Sequence, residues 1–274
     1  MQKNAKVDMQ QVKKKISERM SKIKKKILVL SNKGGVGKSA VSIFLAQVLN
    51  SRKNKVGILD SDMHGPSTVK SLGLERERLR ADEKEIIPLE KDSIKVVSIA
   101  SLLESEDSPL IWRGPLKGVT IRQFLSDVKW GELDYLVIDS PPGTGDEPLS
   151  VIQLLKDIDA GVVVTTPQNI ALLDSRKCIN FLKRMGVPVA GIIENMSGVL
   201  CPHCGEKIDL FKTGGGKKAA RELDVPFLGA ISFDPLIVDM MDKGEIYTKE
   251  YPKSKAAKNI SKIVDRIEKF VNKK

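Results

Sequence analysis

The sequence predicts an α/β fold: a single doubly wound, mainly parallel sheet with helices on both faces. Three observations carry that expectation. Short, near-continuous apolar runs bounded by turn residues recur from about residue 26, as strands buried on both faces require. Helix-like stretches such as "DSRKCINFLKRMG" lie between them, the alternation that builds a parallel sheet with crossover helices. No linker or internal repeat interrupts the series, so residues 26–274 are expected to form one domain.

Taken in order, residues 1–25 form a basic extension. Met9, Val12, Ile16, Met20 and Ile23 fall at the three- and four-residue steps of an amphipathic helix, but chain ends are often loose and a solvated, flexible arm is the expectation. The strand runs follow: "KKILVLS" (25–31), "KVGILDSD" (55–62), "IKVVSIA" (94–100), "LDYLVIDS" (133–140), "AGVVVTT" (160–166), "VAGIIEN" (189–195) and "PFLGAIS" (226–232). The closing "NISKIVDRIEKFV" places Ile260, Ile263, Val264, Ile267, Phe270 and Val271 on one helical face, suited to packing on the sheet.

The chain's 274 residues are 41% hydrophobic and 30% charged, ordinary for a globular protein. No apolar run approaches the roughly 18–20 residues that cross a bilayer, and the lysine-rich start lacks the apolar segment of a secretory signal. The net charge of +11 suggests nucleic acid until it is located. Residues 1–26 carry ten Lys and Arg against Asp8 and Glu18, and residues 251–274 carry eight against Asp265 and Glu268. The ends therefore hold +8 and +6, leaving 11 − 8 − 6 = −3 for the middle. With aromatics at 4% there is no stacking platform for single strands, so neither nucleic acid nor stable membrane association is expected. Three cysteines make no disulfide framework, which points to a reducing, cytoplasmic compartment.

"SNKGGVGKS" (31–39) follows the first strand and opens a helix, the context of a phosphate-binding P-loop. Asn32, Lys33, Gly34, Gly35, Val36, Gly37, Lys38 and Ser39 are the expected ATP-binding residues. Glycines let successive amides turn toward the phosphates, Lys38 supplies charge, and the Ser39 hydroxyl suits Mg2+. The strict pattern has glycine at position 32, and Asn32 is expected to substitute because asparagine tolerates a left-handed backbone. Asp60 and Asp62 end the second strand run and Asp139 the fourth. Carboxylates at strand ends beside such a loop can hold Mg2+ directly or through water.

"CPHCG" (201–205) raises a separate question. A CxxC can be half a zinc ribbon, a redox dithiol or a pair of cluster ligands. Its position after a late strand is not that of a thioredoxin-like dithiol. Zinc and iron–sulfur sites both call for four ligands, and this segment offers Cys201 and Cys204. His203 lies between them, where it is poorly placed to join the same metal, and Cys178 reads as a buried helix residue. A chain offering two ligands supplies four by pairing.

The extra lysine, Lys33, makes the loop resemble the deviant Walker A group of MinD/ParA-like ATPases, in which a lysine at this position reaches across a dimer interface to the partner's nucleotide. The wider set "KGGVGKS", "LDSDMHGPS", "WRGP", "DSPPGTGDE", "GIIENMS" and "CPHCG" resembles the Mrp/ApbC-type iron–sulfur cluster carriers over about residues 27–250. The resemblance implies an ATP-hydrolysing homodimer, in which Cys201 and Cys204 of both chains bridge a labile 4Fe–4S cluster that passes to apo-proteins. It further implies Asp139 as the Walker B acid binding Mg2+ with Ser39, Asp62 as the switch I residue orienting water, Lys33 and Lys38 as catalytic lysines, and Asn195 as an adenine contact.

Three departures accompany it. Residues 1–26 lack the N-terminal cysteine motif of some relatives, the additional N-terminal domain of others is not expected, and "GAISFDP" lacks the proline usual before its apolar residue. Two alternatives share the loop: a MinD/ParA-type positioning ATPase acting on membrane or DNA, and a nucleotide-binding protein stapled by zinc.

Overall fold

A computed structural model describes residues 2–62, 67–82, 85–102, 114–168, 171–200, 206–209 and 213–273. The main sheet contains β1 (Ile23–Leu30), β2 (Val56–Asp60), β3 (Leu89–Lys91), β4 (Ile94–Ser98), β5 (Leu133–Asp139), β6 (Ala160–Thr165), β7 (Val189–Glu194) and β8 (Phe227–Ala230). Their order is β8-β7-β6-β1-β5-β2-β4-β3, and every neighbouring pair is parallel except β3 with β4.

Each run forms a strand for the reason its composition suggests: successive side chains enter opposite layers, and both layers are apolar. In β1, Ile27 and Val29 face one core with the helices Lys38–Ser51 and Lys255–Asn272, while Leu28 and Leu30 face the other with the helix Ala171–Arg184. The closing helix buries Ile260, Ile263, Val264, Ile267 and Val271, with Phe270 partly buried beside them. Its first turn is capped by Ser254, whose Oγ accepts from Ala257 N at 3.0 Å.

Two features differ from the expectation. The eighth strand, β3, joins β4 through Asp92 and Ser93, both left-handed at φ 47° and 66°, so the connection is a tight hairpin rather than a crossover. The basic arm, expected to be loose, is a helix over Gln2–Met20 that runs into β1. Ile16 and Met20 are buried in the second core, against the helices Gly114–Ser126 and Asp146–Leu155. Several of its cations pair with the folded body: Lys15 with Asp127 at 2.7 Å, Arg19 with Glu85 at 2.8 Å and Lys25 with Asp159 at 3.3 Å. Among the described residues no helix is long and apolar enough to cross a membrane.

Candidate functional site

The sheet brings the loop after β1 and the acidic strand ends to its carboxyl edge, where the connections β1 to β2 and β5 to β6 run to opposite sides of β1. Residue pairing sets Asp139 beside Val29 on one flank and beside Asp60 on the other. The loop after β1 leads into the helix Lys38–Ser51, whose N-cap is Gly37 at φ 79° without a side-chain cap. The first-turn amides are therefore available to an anion, with the helix dipole in support.

Two glycines supply the left-handed backbone the loop needs, Gly35 at φ 76° and Gly37. At Gly37 a Cβ would stand 2.1 Å from Asn195 Nδ2, so a larger residue would have to displace the Asn195 side chain as well as adopt a left-handed backbone. Gly34 and Gly35 open onto free space, beside a cleft of about 270 Å³ lined by Lys33, Thr165, Gln168 and Asp174. Asn32 is not left-handed. Its side chain accounts for it instead, donating to Asp174 Oδ1 at 2.7 Å, while Lys33 Nζ lies 3.0 Å from Asp174 Oδ2.

Beneath the loop lies a buried charge cluster. Lys38, 6% exposed, donates to Asp139 Oδ1 at 2.8 Å and lies 3.9 Å from Asp62 Oδ2. Ser42 Oγ donates to the same Asp139 oxygen at 2.9 Å. Asp60 is fully buried, accepting from Asp62 N and from Ser98 Oγ, each at 3.0 Å. Burial first, and the Asp139 charge second, push its carboxyl up to about 7, against the pull of Lys38.

A nucleotide and Mg2+ can be tested against these groups. Asp139 Oδ2 is buried with no hydrogen-bond partner, an arrangement costly to leave unmet and suited to a cation or its water. Ser39 sits partly exposed in the first helical turn. The uncapped amides, the glycine cradle, Lys38 and this orphaned oxygen fit a triphosphate with its metal.

Asn195 connects this site to β7. Its backbone N donates to Thr165 O at 2.8 Å, and its Nδ2 donates to Val36 O in the loop at 3.0 Å. Beyond it, Val199–Leu200 and Lys207–Ile208 pair antiparallel, Val199 opposite Ile208, and residues 201–206 join them. Cys201 and Cys204 lie outside the described residues, as do His203 and His64. Cys178 is buried in its helix, where burial and then Asp174 push the thiol up to about 12, leaving an inert apolar filler.

Sequence reasoning missed Ser42, Asp174 and Glu194. Ser42 had a usable signal, one helical turn after Lys38 and so on the same face. Asp174 and Glu194 meet their partners only through the fold.

A family model described as the NUBPL iron-transfer P-loop NTPase of the ParA group matches residues 22–268. The chain belongs to this family. It is 51% identical to the iron-sulfur cluster carrier protein of Methanocaldococcus jannaschii over 95% of this chain and 90% of that one. It is 47% identical to the iron-sulfur cluster carrier protein of Pyrococcus horikoshii, over 94% and 90%. Among solved structures, a nucleotide-binding protein of Archaeoglobus fulgidus in complex with ADP matches with a TM-score of 0.76 and 40% identity, over 85% of this chain and 91% of that one. The septum site-determining protein MinD of Pyrococcus horikoshii, complexed with Mg-ADP, matches with a TM-score of 0.64 and 21% identity over 90% and 96%, a likeness of fold. This P-loop NTPase family thus accounts for the loop, the acidic strand ends and the sheet together.

Proposed function

We propose that this chain is an ATP-binding and ATP-hydrolysing iron–sulfur cluster carrier that works as a homodimer. The observation that carries the reading is the buried Lys38–Asp139 pair under an uncapped phosphate loop, in a chain that also bears a CxxC. It is supported by near-full-length relatives that carry the cluster carrier name. Lys38 and the amides from Gly34 to Ser39 would hold the phosphates, and Ser39 with Asp139 the Mg2+. ATP supplies a phosphoanhydride bond whose cleavage can drive a change of state. Asp62, beside Lys38, would orient the attacking water, and Lys33 would serve the second copy's nucleotide.

The cargo is a 4Fe–4S cluster destined for apo-proteins in the cytoplasm. Cys201 and Cys204 offer two thiolates, so the cluster would be shared with the same pair on a second copy. Residues 26–274 act as one ATPase domain and residues 1–25 as its basic extension, with the packed helix end serving as structure. A positioning ATPase gives Cys201 and Cys204 no work, and a zinc staple predicts colourless protein. Anaerobic reconstitution with iron and sulfide, followed by transfer to an apo-ferredoxin, tests the reading. Brown protein that activates the acceptor supports it, and protein that takes up zinc but no iron overturns it.

A further inference from the structure

The acid that ends β5 is held unevenly. Asp139 is fully buried, and among the described residues both hydrogen bonds its side chain accepts fall on one oxygen. Lys38 Nζ donates to Oδ1 at 2.8 Å, and Ser42 Oγ donates to the same atom at 2.9 Å. Oδ2 is buried with no partner. A carboxylate oxygen offers two lone pairs, so Oδ1 is filled while Oδ2 keeps its full capacity for a cation. A carboxylate held by one donor can turn and offer that donor either oxygen. Two donors converging on Oδ1 settle which oxygen is left over.

The two donors are not equivalent. Lys38 has a second task, the phosphates, whereas Ser42 is fully buried in the helix Lys38–Ser51 and meets only the chain itself. A serine inside a helix commonly donates to the carbonyl four residues back. Here that acceptor, Lys38 O, stands farther away at 3.1 Å, is neutral and already belongs to the helical ladder. A hydroxyl has one proton to give, and the charged Asp139 oxygen is the stronger acceptor. Asp60, paired with Asp139 across the sheet, is occupied by Asp62 N and Ser98 Oγ and does not compete for that proton. We propose that Ser42 is a positioning residue for the metal-binding carboxylate: by occupying Asp139 Oδ1 it keeps Oδ2 free for Mg2+ while Lys38 serves the phosphates. This role rests on the ATP and Mg2+ reading of the loop and owes nothing to the cysteines. Partners that orient a metal ligand matter to metal affinity although they never touch the metal.

The test uses the full chain and a non-hydrolysable ATP analogue, whose affinity is measured by calorimetry with Mg2+ and again with the metal chelated. The ratio of the two affinities is the metal's contribution to binding. In Ser42→Ala that ratio should fall by about tenfold, the low end for losing a partner that orients a metal ligand, because Lys38 still holds Oδ1. Affinity without metal should stay within about twofold, since the loop amides and Lys38 are untouched. Alanine favours the helix, so the variant is expected to fold. Ser42→Thr keeps the hydroxyl and should bring the ratio back to within about threefold of the wild type. A structural role alone would lower stability or weaken both affinities equally. An unchanged ratio in Ser42→Ala, or an equal loss with and without Mg2+, overturns the proposal. So does a threonine variant that binds normally without metal yet shows the alanine ratio. The alanine result decides alone if the threonine methyl does not fit its fully buried site. A wild type whose affinity ignores Mg2+ ends the Mg2+ reading instead, and this role with it.

Discussion

Lys33 Nζ lies 3.0 Å from Asp174 Oδ2, and Asn32 Nδ2 lies 2.7 Å from the other oxygen of the same carboxylate. One acid thus holds two successive residues of the phosphate loop. A lysine that reaches toward a second copy must first leave Asp174. Asp174→Ala is therefore expected to strengthen ATP-dependent self-association by about two- to fivefold, the scale of a half-exposed ion pair. Sedimentation with and without MgATP reads the change, and weaker association would show that Asp174 does not restrain Lys33.

Lys38→Ala removes the cation beneath the loop. ATP affinity should fall by at least about 100-fold, as when one partner of a buried, hydrogen-bonded charge pair is truncated. The same variant removes the Lys38 charge that favours the ionised form of Asp60, so its stability should suffer more at pH 8 than at pH 5. Calorimetric titration checks the first expectation, and wild-type affinity there would remove Lys38 from the site.

The two aspartates beside Lys38 should separate kinetically. Asp62→Asn keeps a hydrogen-bonding side chain but loses charge, so ATP should still bind while turnover drops by about 10- to 100-fold. Asp139→Asn keeps one acceptor for Lys38 and Ser42 but loses the charge and the second oxygen, so nucleotide and Mg2+ binding should weaken together. Steady-state hydrolysis beside equilibrium binding distinguishes them, and unchanged turnover in Asp62→Asn would mean that another group orients the water.

Asp60 gives a pH signature. Its carboxyl ordinarily titrates near 3.8 and is raised to about 7 in the folded chain. Between those values the folded chain binds the proton more readily than the unfolded one, so this group's contribution falls as pH rises from about 4 to about 7. Asp60→Asn keeps acceptance from Asp62 N and can donate to Ser98 Oγ. It should stabilise the protein by about 1–3 kcal/mol at pH 8, and by little near pH 4. Denaturant unfolding at the two pH values checks this, and an equal gain at both would point to a cause other than charge.

What was legible in the sequence was local. The strand runs, the loop "SNKGGVGKS" and the apolar stripe of the closing helix lie within single elements, where periodicity and glycine placement suffice. The hairpin of β3 and β4 escaped because its left-handed turn uses Asp92 and Ser93 rather than glycine. The burial of Ile16 and Met20 escaped because a stripe on a terminal helix does not name the helices that cover it. Asp174 and Glu194 lie 142 and 20 residues from Asn32 and Gly214, so the contacts that explain them exist only after folding. For Asn32, sequence reasoning supplied a backbone cause where the structure has a side-chain hydrogen bond.

If two copies of this chain share one cluster through Cys201 and Cys204, iron, sulfide and mass must agree on one species. The most direct measurement is anaerobic size-resolved mass determination of reconstituted protein, with iron and sulfide counted in the same peak. The expected result is a dimer with one 4Fe–4S cluster, about two irons per chain, lost in Cys201→Ser and Cys204→Ser and kept in Cys178→Ser. A monomer carrying four irons, or a dimer whose iron survives both substitutions, would contradict it.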